Sequence, residues 1–112
     1  MGEEGCDSLR EALQTLRRHV LSSPVRLAAV LLLAARGELE FSELQRALGT
    51  TPGALWSHIE KLREHGIVEL RRRLSLRGPR VVISLTETGR QELEKYLNAL
   101  DRLTRIARSQ NL

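Results

Sequence analysis

The chain has 112 residues, of which 41% are hydrophobic and only 3% aromatic, so Leu, Val, Ile and Ala have to build its core. The single cysteine, Cys6, excludes a disulfide-stapled fold, and the longest apolar run, residues 27–35, is far shorter than the roughly 20 residues that cross a membrane. The acidic N-terminus lacks the basic segment of a secretory signal, so we expect a cytoplasmic protein that forms one domain over residues 1–112.

Positive charge is concentrated in one stretch of the chain. Residues 61–85 carry seven basic and two acidic side chains, whereas residues 1–60 carry six basic and eight acidic ones. A local basic excess of this kind is typical of proteins that bind a polyanion. The alternative is a solvated, arginine-rich surface.

Two helices open the predicted fold. The first occupies residues 8–21, where apolar residues recur at helical spacing and Asp7 or Ser8 can cap the first turn. Pro24 suits the first turn of the second helix, and Gly37 ends that helix. Because the second helix is apolar nearly all round, we expect it at the centre of the core.

A short alternating segment and a third helix follow. Residues 38–41 predict one small strand. Ser42 is the predicted cap of the third helix, with Gln45 as its partner in a capping box, and Gly49 ends the helix.

A fourth helix begins almost at once. Thr50 or Thr51 caps it, Pro52 lies in its first turn, and Gly66 closes it. Its predicted core face consists of Leu55, Ile59 and Leu62. Two short helices joined by a three-residue turn that contains glycine are the signature of a helix-turn-helix.

The last part of the chain predicts a hairpin and a long helix. Residues 67–70 begin a strand that residues 71–73 either continue or leave, residues 77–80 have the composition of a turn, and residues 81–85 form the second strand. A final helix occupies residues 86–108. The predicted fold is therefore mainly α with a small β-hairpin (α+β), the basic hairpin tip standing as a wing beside the helix-turn-helix.

Residues 23–97, about two-thirds of the chain, resemble winged helix-turn-helix regulators of the MarR/ArsR type, and in particular small prokaryotic winged-helix DNA-binding proteins. The matching segments, in order, are residues 24–27, 41–44, 48–49, 53–55, 58–62, 66–68, the arginine-rich wing and residues 85–90. The resemblance implies a winged core at residues 23–85 between extra N- and C-terminal helices. It also implies a sequence-specific transcription regulator that binds double-stranded DNA as a homodimer.

The predicted DNA contacts lie on two elements. A recognition helix at about residues 51–65 would enter the major groove, and the wing at about residues 71–80 would lie on the backbone and minor groove. The residues predicted to contact DNA are Thr50, Thr51, Gly53, Trp56, Ser57, His58, Lys61, Arg72, Arg73, Arg77 and Arg80.

Several of these residues have a structural alternative. Thr50 and Thr51 also suit helix capping, and His58 also suits a structural role at the core edge. Trp56 departs from the family pattern, in which a small polar residue is commoner, and is either groove-facing or at the core edge.

Strand geometry restricts the arginines. Within residues 71–73, Arg72 points opposite to its two neighbours, so at most two of the three face one row of phosphates unless the strand ends early. For Arg77 and Arg80 the alternative is a solubilising loop. Arg26, near the start of the second helix, is predicted either to contact a phosphate or to form an intramolecular ion pair.

The first and last helices carry apolar stripes outside the winged core. A stripe left bare in water is unfavourable, so we expect the two helices to pack together and against a second subunit. Packing within one monomer is the alternative. The residues predicted at the dimer interface are Leu9, Leu13, Leu16, Leu93, Leu97, Leu100 and Leu103.

No enzyme site is predicted. The sequence has no glycine-rich phosphate loop and no clustered metal ligands, so we expect no catalytic residue, no cofactor and no metal. Cys6 remains a candidate for a switch at a dimer interface, and an unknown small-molecule effector is left open. The competing functions are a winged-helix module for protein interaction and a nonspecific architectural DNA-binding protein.

Overall fold

The computed structural model describes the backbone of residues 3–109 and the side chains of residues 7–105 and 108, so the Cys6 side chain lies outside the described part. The elements are α1 (Glu3–Arg18), α2 (Pro24–Arg36), β1 (Glu38–Glu40), α3 (Phe41–Leu48), α4 (Pro52–Glu64), β2 (Val68–Ser75), β3 (Gly78–Leu85) and α5 (Glu87–Ser109). A 3-10 turn at Val20–Ser22 joins α1 to α2. Mainly helical structure with a small antiparallel sheet confirms the predicted fold class.

The bounds predicted for the first helix were wrong at both ends. The helix begins at Glu3, so Asp7 and Ser8 lie inside it and do not cap it. Acidic residues near a helix N-terminus are favoured by the helix dipole, which explains a start within this acidic segment. The helix ends at Arg18 because His19 is extended and accepts a hydrogen bond on Nδ1 from the Leu21 N–H at 3.0 Å, which starts the separate 3-10 turn.

The predicted helix ends at Pro24, Gly37, Gly49 and Thr51 are confirmed, and Gly49 ends α3 with φ +67°. Pro24 begins α2, and Gly37 ends it with φ +87°. Thr51 caps α4 by accepting a hydrogen bond from the Ala54 N–H at 3.2 Å, and Pro52 follows in the first turn.

The predicted cap of α3 was wrong. The helix begins at Phe41, directly after β1, and Glu40 occupies the cap position that was predicted for Ser42. The Glu43 carboxylate, rather than Gln45, accepts a hydrogen bond from the Glu40 N–H at 3.1 Å. The shift has a simple cause, since Glu40 keeps the extended conformation of the strand that it ends (φ −69°, ψ 149°).

The sheet has the strand order β1-β3-β2, with both pairs antiparallel. In the hairpin Ser75 pairs with Gly78, so the tip is only Leu76 and Arg77, and the turn predicted at residues 77–80 was wrong. Pro79 is tolerated inside β3 because it pairs with Leu74 in a position whose N–H faces away from β2, and β1 reaches only as far as residue 82 of β3.

The core surrounds α2, whose Ala29, Val30 and Leu33 are completely buried. The helix is not covered on all sides, however, because Leu31 is exposed. On one side of the molecule α1 packs against α5, which places both long helices next to the winged part rather than inside it.

Candidate nucleic-acid interface

The fourth helix presents two different faces. Its inner face is completely buried, as predicted, through Leu55, Ile59 and Leu62. The residues on the opposite side of the helix, among them Gly53, Ser57 and Lys61, are exposed. No atom lies within 4 Å of a Cβ built on Gly53, so the start of this face is open to a large partner.

The two threonines before α4 differ in their surroundings. Thr51 is exposed and caps the helix, so its predicted capping role is confirmed. Thr50 is half-buried, and its hydroxyl oxygen has no hydrogen-bond partner within the described residues. A helix N-terminus with free N–H groups still favours an anion next to Thr51.

His58 lies on the flank of α4 that faces α2. Arg26 reaches it from the first turn of α2, with Nη1 3.1 Å from His58 Nδ1, and the Arg26 Nε–H also donates to the Val20 carbonyl at 2.7 Å. Burial lowers the pKa of His58, and the nearby Arg26 charge lowers that pKa further. The intramolecular partners of Arg26 are thus a histidine and a carbonyl, rather than the carboxylate of an ion pair.

Trp56 lies on the other flank of α4, beside the hairpin. The residue is 44% exposed, and its indole meets the Phe41 ring edge-on, with ring centroids 5.9 Å apart. Trp56 and Val81 line two adjoining clefts, one of which also contains Arg80 and the other Arg72. The side chain therefore stands between α4 and the wing, and His58 and Trp56 flank the exposed face from opposite sides.

The arginines of β2 divide between the two faces of the sheet, as strand geometry predicts. Arg73 donates to Glu40 at 2.7 Å, and Arg71 binds Glu38 in the same way. Both carboxylates belong to β1, so these two arginines share the face that carries the β1 glutamates. Arg72 lies on the opposite face, in the cleft beside Trp56.

The wing tip combines charge with bare apolar side chains. Arg77 is exposed at the tip, and Arg80 is half-buried on β3. Leu74 is 88% exposed and Leu76 is fully exposed. Sequence reasoning missed these two leucines, although their position among arginines and turn residues was a signal that they would not enter the core.

The leucines predicted at a dimer interface fall into distinct groups. Leu16 and Leu93 are buried within the chain, where α1 packs against α5. Of the other predicted leucines, Leu9, Leu100 and Leu103 are half-buried. Packing within one monomer therefore accounts for much of the predicted stripe.

An exposed apolar remainder lies on the outside of the same helices. Leu13 on α1, Leu31 on α2 and Leu97 on α5 are between 37% and 41% exposed. Leu97 lines a cleft together with Ala34 of α2, so apolar surface continues from α5 to α2. Sequence reasoning missed Leu31 because its helix was predicted to be covered on every side.

The described residues contain neither a membrane-spanning helix nor a cluster of metal ligands. No helix in residues 3–109 is long and apolar enough to cross a membrane. The side chains that the structure describes contain no group of three or more His, Cys, Asp or Glu residues arranged to hold a metal ion.

Comparison with known proteins places these features in a family. Residues 25–104 match the family described as winged helix DNA-binding domain. The chain is 29% identical over 86 residues to an uncharacterized protein of Methanocaldococcus jannaschii. The aligned region covers 77% of this chain and 94% of that protein.

Two solved structures extend the comparison. A transcriptional regulator homologue from Pyrococcus horikoshii is 35% identical, with a TM-score of 0.78, and the match covers 84% of this chain and 94% of that one. A mutant of Escherichia coli MarR in complex with operator DNA is 18% identical, with a TM-score of 0.67 and coverage of 94% and 76%. The fold is thus that of MarR-type regulators, as the resemblance in the sequence implied.

Proposed function

We propose that this chain, which belongs to the winged helix DNA-binding domain family, is a transcription regulator that recognises a double-stranded DNA operator as a homodimer. The observation that carries the proposal is the exposed small and polar face of α4 beside a basic wing. The mutant of E. coli MarR with the same fold is complexed with operator DNA, which supports the same class of partner.

The exposed face of α4 supplies what major-groove recognition requires. Small residues at its start let the helix approach the base edges, and Ser57 and Lys61 can donate hydrogen bonds to them. Glu60 does not cancel this potential, because it is already paired with Arg63 at 2.8 Å. We therefore assign α4 to the major groove.

The wing supplies affinity rather than sequence choice. Arg77 projects from the two-residue tip, and Arg72 and Arg80 line the clefts between the hairpin and α4. Contacts from these side chains to phosphates or to the minor groove would release counterions and make binding salt-dependent.

A second copy of the chain would cover the exposed leucines on α1, α2 and α5. A two-fold dimer buries the same patch on both subunits and presents two copies of α4 to two half-sites of the operator. Because a duplex offers two-fold related half-sites, this arrangement fits a pseudo-palindromic operator.

The first test is fluorescence anisotropy with a labelled random-sequence duplex at several salt concentrations. We expect binding that weakens steeply with salt, and a double variant Arg77→Ala/Arg80→Ala whose slope of log K against log salt is smaller by about 2. The matched control is Arg102→Ala/Arg105→Ala on α5, which removes the same charge and should keep the wild-type slope.

The outcomes separate the candidate functions. No binding at low salt would overturn the proposal. If duplex binding is found, selection from a random library followed by competition with bulk DNA tests sequence preference. Failure to enrich any sequence would indicate a nonspecific architectural protein instead of a regulator.

A further inference from the structure

A hydrogen-bonded chain connects the start of α2 to the flank of α4. The Arg26 Nε–H donates to the Val20 carbonyl at 2.7 Å, which fixes the plane of the guanidinium. The same guanidinium places Nη1 3.1 Å from Nδ1 of His58, thirty-two residues away in the sequence. Both hydrogen bonds of Arg26 are partly buried, so water competes weakly with them.

The chemistry of the two groups decides which histidine nitrogen carries the proton. A guanidinium has N–H donors and no acceptor, so Nδ1 of His58 has to accept and cannot carry a proton. The neutral imidazole then carries its proton on Nε2. Burial and the Arg26 charge both disfavour the imidazolium, which would put an Nδ1–H against an N–H of Arg26.

The position of the ring indicates what its second nitrogen can do. Within the described residues, Nε2 of His58 takes part in no hydrogen bond, whereas Nδ1 is occupied by Arg26. His58 lies on a flank of α4, next to the exposed face with Ser57 and Lys61 and away from the Trp56 side. A donor on the flank of a recognition helix is suited to the DNA backbone, which passes along the edges of the groove.

We propose that Arg26 is a positioning residue that holds His58 in the Nε2–H tautomer, and that this Nε2–H donates to a phosphate oxygen of the bound duplex. The second half of the inference rests on the proposed function, whereas the first half does not. Lysine could not replace Arg26, because a single ammonium lacks the planar fork that serves the carbonyl and the imidazole together.

The first experiment needs no DNA. Long-range proton–nitrogen NMR spectra of the uniformly ¹⁵N-labelled protein report which imidazole nitrogen is protonated. At about pH 7.5, above the ordinary histidine pKa, we expect His58 to show a pyrrole-type Nε2 and a pyridine-type Nδ1, and Arg26→Lys to shift it toward a mixture of tautomers. An Nδ1–H tautomer, or a spectrum unchanged by Arg26→Lys, would overturn the positioning role.

The second experiment uses two variants that each keep one nitrogen position of the ring. His58→Asn keeps an acceptor near Nδ1 for Arg26 but has no donor at the Nε2 position, whereas His58→Gln keeps a donor near Nε2. In duplex-binding titrations we expect His58→Asn to lose roughly tenfold in affinity and His58→Gln to lose clearly less. Equal losses in the two variants, or none in His58→Asn, would overturn the phosphate contact.

A double-mutant cycle separates positioning from a direct contact of Arg26 with DNA. If Arg26 acts through His58, Arg26→Ala weakens the wild type but has little further effect in the His58→Asn background. Equal losses in both backgrounds would show that Arg26 contacts the duplex itself and would overturn the inference. Backbone NMR spectra verify that each variant is folded. If Arg26→Ala does not fold, Arg26→Lys replaces it in the cycle.

The experiments distinguish a failure of the proposed function from a failure of the role assigned to Arg26. If the wild type binds no duplex, the proposed function and the phosphate contact are both overturned, while the tautomer measured in the free protein still decides the role of Arg26. If the wild type binds duplex and His58→Asn binds equally well, only the further inference is overturned.

Discussion

Arg73 on β2 and Glu40 on β1 are joined by a 2.7 Å hydrogen bond, although β3 lies between the two strands that carry them. The equivalent pair of Arg71 and Glu38 lies beside it, and the Arg71 contact lowers the pKa of the Glu38 carboxyl. Part of the positive charge of the wing is therefore neutralised within the chain. A phosphate has to compete with Glu40 for Arg73.

Removing this competitor should strengthen DNA binding. Glu40→Gln eliminates one negative charge beside the wing and frees Arg73, so we expect duplex affinity to rise roughly threefold at low salt, and less at high salt. Anisotropy titrations measure the change. Glu11→Gln on α1 removes the same charge far along the chain, and a similar gain in that control would show that only net charge matters.

Two helical glycines should respond in opposite ways to alanine. A Cβ on Gly89 of α5 would clash with the Ile67 carbonyl and lie 2.6 Å from Leu85 Cδ1, so we expect Gly89→Ala to destabilise the fold by about 1–3 kcal/mol. Gly53 of α4 has open space around it, and Gly53→Ala should stabilise by up to about 1 kcal/mol. Urea unfolding distinguishes the two, and equal free energies of unfolding would contradict the predicted close contact at Gly89.

The stability of the fold should depend on acid pH through a contact between His19, which follows α1, and Glu92 of α5. His19 Nε2 lies 2.7 Å from Glu92 Oε2, and this hydrogen bond is the main cause of a lowered pKa at Glu92. Because the folded pKa lies below the unfolded value of 4.5, the contribution is complete above that pH and is lost as pH falls through the folded pKa.

Glu92→Gln should therefore cost about 1 kcal/mol near pH 7, and the difference from wild type should shrink as the solution becomes more acidic than the carboxyl pKa. Thermal unfolding at a series of pH values measures it. Glu94→Gln on the same helix is the control and should show little loss at any pH. A loss in Glu92→Gln that does not change with pH would refute the assignment.

The exposed leucines give the dimer its own test. Leu97→Asp places a charge in the cleft that Leu97 shares with Ala34 of α2 and should convert a dimer to a monomer in sedimentation or light-scattering measurements. Leu76→Asp alters an even more exposed leucine, but at the wing tip, and should leave the dimer intact. A monomeric wild type at micromolar concentration would count against the homodimer.

Local signals in the sequence predicted much of the fold. Pro24, Gly37 and Thr51 act at helix ends through their own backbone or side-chain chemistry, so no distant contact was needed to place them. Pro79 led to a wrong prediction because a proline usually marks a turn. Here it lies inside β3, at a position where the missing N–H would face away from β2 and where β1 does not pair with β3.

The candidate site could be predicted only in outline. Helical spacing separates the buried Ile59 from the exposed Ser57, so the two faces of α4 follow from the sequence. The partner of His58 does not follow from the sequence. Arg26 lies thirty-two residues away, and the two side chains meet only because α2 packs against α4.

Trp56 is the only tryptophan of the chain, and it stands half-exposed beside Phe41 at the boundary of α4 and the wing. Indole emission depends strongly on contact with water and on nearby stacking partners, and no second fluorophore of this kind obscures it. The molecule thus contains its own optical probe at the point where a duplex would close over the wing, and unlabelled operator can be titrated by following that emission.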